Sequence, residues 1–225
     1  MGFCGAMGCS GRTGEQVSTL RMGLQIEGLN KIMQAQTEDY TDANGRFMLE
    51  RSGLYLRLKV TASDLSPSQV RIYPQKDDKL PADDQVQFTW DVPAGTGRDF
   101  EVLAIIVREE EPSYFAPPQP LTRDLQPDTE LKLDISLEPL IARVIEGKLS
   151  IADASEVAKV RLIDVQEKLV LPWITVEQAK FTTKPLPIGR VFAIEIELKN
   201  SQNRLLQTSL AIEEGDNAQL VSITK

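Results

Sequence analysis

The chain has 225 residues, 41% hydrophobic and 26% charged, with 33 acidic against 25 basic side chains and a formal net charge of −8. That balance argues against a nucleic-acid partner, since phosphate binding draws its affinity from clustered Lys and Arg and no basic stripe occurs. Histidine is absent, and both cysteines, Cys4 and Cys9, lie close to the start, so Ser-His-Asp and Cys-His hydrolases are excluded and the body carries no disulfide. No motif asks for a metal or another cofactor.

Met1-Gly2-Phe3-Cys4-Gly5-Ala6-Met7-Gly8-Cys9-Ser10-Gly11 is small, apolar and glycine-rich, and switches abruptly to the polar Arg12-Thr13-Gly14-Glu15-Gln16. It resembles the tail of a bacterial lipoprotein signal peptide, in which small residues precede a cysteine that becomes the lipidated first residue of the mature chain. The resemblance makes Cys9 the lipidation candidate and implies a cell-envelope or extracytoplasmic location, with an outer-membrane lipid anchor as the only membrane contact. The alternative for residues 1–16 is a flexible cytoplasmic leader without an anchor. No other stretch approaches the ~20 apolar residues of a spanning helix.

Leu20, Met22, Leu24 and Ile26 alternate with Arg21, Gly23 and Gln25, the period of a half-buried strand. Residues 29–36 fit a strand or a short helix equally well. Next, Asn44-Gly45 between β-forming residues predicts a type I′ hairpin, whose central positions both need positive φ. Half of a calcium loop, through Asp42 and Asn44, is the alternative, but the later acidic ligands of such a loop are missing. The phrase Thr41-Asp42-x-x-Gly45-x-Phe47-x-Leu49 resembles the hairpin of carboxypeptidase-regulatory-like and related transthyretin-like sandwiches, common in bacterial envelope proteins.

Leu54, Leu56, Leu58 and Val60 alternate with Tyr55, Arg57 and Lys59 in a second strand, and shorter strands follow at 70–73 and 86–90. Residues 93–98 have the glycines of a phosphate loop at the wrong spacing and lead into a strand, so they read as a β-turn. Val92-Pro93-Ala94-Gly95-x-x-Arg98-x-Phe100-x-Val102 resembles a strand opening in bacterial lipoprotein β-sandwiches. The apolar run 102–107 reads as a central strand, and 131–137 alternates cleanly up to Glu138-Pro139-Leu140, where proline interrupts pairing. Beyond this seam the pattern restarts, with strands at 144–151, 157–164, 173–181, 191–198, 205–212 and 220–224 separated by turn residues. Pro187-Ile188-Gly189-Arg190-Val191-Phe192 resembles the Leu-Pro-x-Gly-x-Tyr strand opening of the same regulatory-like modules.

These readings give an all-β chain of two tandem immunoglobulin-like or transthyretin-like β-sandwiches, at 17–138 and 139–225, each expected to fold alone. The expected function is a non-enzymatic envelope scaffold or binding module with a protein or surface-glycan partner. A calcium-dependent binder or a carboxylate-based glycan-acting enzyme is the competing class. Its raw material is the acidic groups Glu38/Asp39/Asp42, Asp77/Asp78, Asp83/Asp84, Glu109/Glu110/Glu111 and Glu213/Glu214/Asp216, which fall mostly in turns, and aromatics make up only 6% of the chain. Trp90 and Trp173 read as core anchors. Tyr114 and Phe115, held among prolines, read as a partly exposed apolar strip and the first place to look for a partner surface, with an edge-strand crossover as the other role.

Overall fold

A computed structural model describes residues 16–29, 47–48, 53–73, 83–108, 111–215 and 218–224. The first half contributes β1 (Val17–Ile26), β2 (Phe47–Met48), β3 (Gly53–Ala62), β4 (Leu65–Tyr73), β5 (Gln85–Pro93), β6 (Gly95–Arg108), β7 (Glu111–Ala116), β8 (Leu121–Leu125) and β9 (Glu130–Pro139). The second contributes β10 (Ala142–Arg143), β11 (Ile145–Ser150), β12 (Val157–Asp164), β13 (Leu169–Val170), β14 (Ile174–Thr175), β15 (Lys180–Thr182), β16 (Leu186–Pro187), β17 (Val191–Leu198), β18 (Asn203–Ala211) and β19 (Gln219–Thr224). The Asn44-Gly45 hairpin, Cys4, Cys9 and the acidic groups at 38–42 and 77–78 lie outside the described residues.

In the first half the strand path runs β4-β3-β6-β7-β9-β1-β5, with β8 also on β6. Strand β1 is antiparallel to β5 and parallel to β9. Strand β7 lies along β6 but meets β9 only at Phe115↔Pro139 and Ala116↔Glu138, and there the path turns the corner between two layers. The period-two alternation of β1 and β3 sends Leu20, Met22, Leu24 and Ile26 into one core with Leu54, Leu56, Leu58 and Val60. At the far corner the two ends of the path meet: Arg71 on β4 donates to Thr89 O on β5, and Tyr73 packs edge-on to Phe88 with ring centroids 5.6 Å apart.

The second half repeats this scheme. Strand β11 lies between an antiparallel β15 and a parallel β19, as β1 does between β5 and β9, and β12 pairs with β17 as β3 does with β6. The larger sheet has the order β18-β17-β12-β13-β2, with β14 also on β12. Strand β2, from the first half of the chain, pairs in parallel with β13 through Leu169↔Phe47 and Val170↔Met48, so the two halves exchange backbone as well as side chains.

The seam at 138–140 does not separate two cores. Tyr55, Leu103, Ile105, Val107 and Tyr114, on the face of β3, β6 and β7 turned away from the first core, join one cluster with Leu162, Leu171, Leu186 and Phe192 of the second half. The uninterrupted apolar run 102–107 has this cause: a strand covered on both faces needs apolar residues at consecutive positions.

Packing on both faces also corrects the reading of Tyr114 and Phe115 as an exposed strip. Both are only 4% exposed, because neighbouring residues of β7 point to opposite faces and each face is covered, Tyr114 by the second-half cluster and Phe115 by the first core. Strand β7 carries the path from β6 to β9 and is paired on both sides, so it is not an edge strand either. The two tryptophans are half-buried and not full core anchors: Trp90 packs at the margin of the first core, and Trp173 lies under the Arg161 guanidinium, 4.3 Å from its ring centroid.

Candidate functional site

The densest group of titratable side chains lies where the halves meet, and local turn chemistry builds it. Asp164 ends β12, and its Oδ1 accepts the backbone N–H groups of Gln166 at 3.0 Å and Glu167 at 3.1 Å, an Asx-type turn completed by Lys168 at φ 53°. This turn throws Glu167 back against the first half. Arg190 follows the Gly189 turn, where φ is 80°, and reaches the same place from the opposite side.

Arg190 Nε donates to Asp164 Oδ2 at 2.7 Å, and its Nη2 donates to Asp164 Oδ1 and Glu167 Oε1, both at 3.0 Å. From the first half, Arg57 Nε donates to Glu167 Oε2 at 2.6 Å and Tyr55 Oη donates to the same oxygen at 3.0 Å. Arg57 and Lys59 also share Glu101 at the solvent edge. The Asp164 and Glu167 side chains are buried, and two guanidinium groups balance their two charges. Arg190 also lies 5.8 Å from the Tyr114 ring centroid.

Burial, then the negative charge of Glu167, pushes the Tyr55 phenol far above its ordinary range. Tyr114 is raised in the same direction, by burial first and by the nearby Asp164 charge second, and its Oη has no hydrogen-bond partner among the described residues. Burial opposes the charge of Arg190, but the hydrogen bonds and charge of Asp164, then those of Glu167, hold it above its ordinary value. With its carboxylate oxygens taken by guanidinium, phenol and backbone donors, this arrangement fixes one half against the other and offers no base to a substrate.

Other groups are more exposed. A cavity of about 310 Å3 opens beside Trp173, walled by Pro112, Leu171, Thr183 and Lys184. Arg98 is buried, donates through Nε to Pro93 O at 2.9 Å and also to Ala94 O, and is paired with the exposed carboxylate of Asp64. Among the acids named from the sequence, Glu111 pairs with Lys184, while Glu213 and Glu214 are exposed and offer backbone carbonyls to Arg143. Among the described residues no group of three His, Cys, Asp or Glu is placed to hold a metal, and no helix is long and apolar enough to cross a membrane.

Sequence reasoning missed Tyr55, Arg57, Asp164, Glu167 and Arg190. Tyr55 and Arg57 occupy the solvent positions of an alternating strand, and only the doubly apolar neighbour at 102–107 signals that this face is covered.

The fold and this junction define an all-β, multi-sheet protein of two sandwich-like halves. No protein-family model matches the chain, and no curated protein matches it in sequence. Among solved structures, a streptococcal ancillary pilin aligns over 92% of this chain and 62% of its own, at 11% identity and a TM-score of 0.32. The Bacillus anthracis TIE protein aligns over 93% of this chain at 10% identity and a TM-score of 0.28. The shaft pilin SpaA from Lactobacillus rhamnosus GG aligns over 92% of this chain and 97% of its own, at 8% identity and a TM-score of 0.24. The chain spans 34% of the TIE protein and 26% of a leucine-rich repeat protein from Bacteroides thetaiotaomicron. Scores this low carry no inference about activity or partner.

Proposed function

We propose that the protein is a non-enzymatic module of the cell envelope, a scaffold or spacer with a protein or surface-glycan partner, anchored by a lipid on Cys9. Its units are two transthyretin-like sandwiches, at 17–138 and 139–225, which share β2 and the outer face of β3, β6 and β7 instead of standing as separate cores. The observation that carries this reading is the junction. The buried carboxylates Asp164 and Glu167 tie the halves together through Arg57, Arg190 and Tyr55 instead of facing a cleft. A body braced in this way keeps its two ends at a fixed separation, which is what a spacer needs. The hairpin and strand-opening phrases support the transthyretin-like assignment, and the pairing scheme common to both halves supports two units of one kind.

Fractionation of cells expressing the chain from its own locus tests the placement. The wild-type chain is expected in the membrane fraction, released by detergent, and Cys9→Ser is expected in the soluble fraction. Equal solubility of the two forms removes the anchor and with it the envelope assignment.

A further inference from the structure

A ligand pocket is mostly apolar, with a few placed polar groups that decide what it takes. The cavity of about 310 Å3 beside Trp173 has this composition, and none of the five junction side chains lines it. Its buried surface comes from Leu162, Leu171 and Leu186 of the shared cluster and from Pro112 near the start of β7. Its exposed surface comes from Thr175 on β14, Thr182 on β15, and Lys184. The Trp173 indole is held in place before any ligand arrives: Arg161 lies 4.3 Å from its ring centroid, and Arg161 Nε donates to Glu195 at 2.8 Å. Arg161 does not line the cavity and so leaves its space open.

The polar groups narrow the occupant by its chemistry. Thr183 lines the cavity and is only 4% exposed. Its Oγ1 accepts the Ile145 N–H at 3.0 Å, but its own hydroxyl proton has no acceptor among the described residues. The Thr175 and Thr182 hydroxyls have no partner there either. A purely apolar occupant would cover the buried donor without answering it, which costs free energy. Charge is disfavoured in both signs. Lys184 is the one charged side chain among the described lining residues, and Glu111 already pairs with it. A cation therefore meets no carboxylate on this wall, and an anion would have to break that pair and approach a chain of net charge −8. An extended peptide docks by lengthening a sheet at a strand edge, and β14 and β15 have only two and three residues to offer. The lining matches a neutral ligand with an apolar face and with hydroxyls that both donate and accept.

We propose that the cavity takes one ring of a neutral sugar, its C–H face against the Trp173 indole and its hydroxyls at Thr175, Thr182 and Thr183. The electron-rich face of an indole suits the C–H groups of such a ring. The inference rests on the surface-glycan reading proposed above and gives that partner a location.

Nuclear magnetic resonance of the isotope-labelled full chain with Cys4→Ser and Cys9→Ser tests this, because the indole N–H signals of Trp173 and Trp90 report two separate places. The probes are glucose, galactose, mannose and N-acetylglucosamine, each as the free sugar and as a linear tetrasaccharide. At least one neutral sugar is expected to shift the Trp173 signal saturably and leave Trp90 unmoved. Trp173→Ala is expected to abolish binding and Thr182→Val to weaken it several-fold, while glucuronate and glucosamine bind no better than glucose. The absence of a saturable shift with any sugar overturns the proposal. So does binding that persists in Trp173→Ala, or a Trp173 signal moved by an extended peptide and by no sugar. If Trp173→Ala fails to fold, the wild-type indole shifts and the exposed Thr182→Val decide. A failure here leaves the anchored spacer standing, since the Cys9→Ser fractionation reads out independently of sugar binding.

Discussion

Arg98 shows how one side chain fixes a turn. Its guanidinium folds back over the link from β5 to β6 to reach Pro93 O and Ala94 O, and Asp64 meets it from the other side. Gly95 makes room for it: its φ is 145°, and a Cβ there would collide with the guanidinium. Gly95→Ala is therefore expected to destabilise the chain by roughly 1–3 kcal/mol, since strain and clash act together. A denaturant titration checks this, and an unchanged midpoint would mean that Arg98 does not need the fold-back. Asp64 is held below the usual carboxylate range, first by its hydrogen bond from Arg98. Its contribution is present above the unfolded value, near pH 4, and is lost as the pH falls through the lower folded value. The break between strands was legible in Pro93-Ala94-Gly95, although it is a one-residue link and not the expected β-turn, and the role of Arg98 was not legible, because nothing local says where a long side chain will fold.

At the scale of elements, the junction rests on β3 meeting the turn after β12. Glu167→Gln removes a buried carboxylate from between the half-buried Arg57 and Arg190, which keep Glu101 and Asp164 as partners, so the cost is expected toward or below the low end of the about 3–5 kcal/mol typical of breaking a buried pair from one side. A fall of that order in unfolding free energy is expected, against a much smaller effect for the exposed pair partner Glu130→Gln. Alkali provides an independent probe. The Tyr55 and Tyr114 phenols are raised in the folded chain, so the folded state holds protons that the unfolded state releases above about pH 10. Stability from these groups is fully present below that value and falls as the pH rises through and beyond it. Melting temperatures measured from pH 8 to about pH 11 should fall less steeply in Tyr55→Phe than in the wild-type chain, and parallel curves would contradict the assignment. The strands that carry the junction were readable, from alternation at 54–60 and 191–198 and as a strand between turn residues at 157–164. The pairing of Tyr55 and Arg57 with Glu167 was not, since it joins positions far apart through a face that alternation marks as exposed.

For the whole molecule, the sequence restart after Pro139 is real as a repeat of pairing topology, and the all-β class was legible from period-two runs and turn residues throughout. The shared cluster was hidden, because a strand buried on both faces looks like any apolar strand until its second neighbour is known. That cluster bears directly on how the chain unfolds. Separating the halves would expose Leu103, Ile105, Val107 and Tyr55 together, at roughly 1.5–3 kcal/mol for each fully buried large side chain, and would break the charge network as well. Penalties of that size are comparable to the whole stability of a small domain, so neither half should melt independently. Differential scanning calorimetry of the intact chain at neutral pH measures this most directly. The account predicts a single transition whose van't Hoff and calorimetric enthalpies agree. Two resolved transitions, with the second unaffected by Glu167→Gln, would show that the halves are independent beads and that the junction does not brace them.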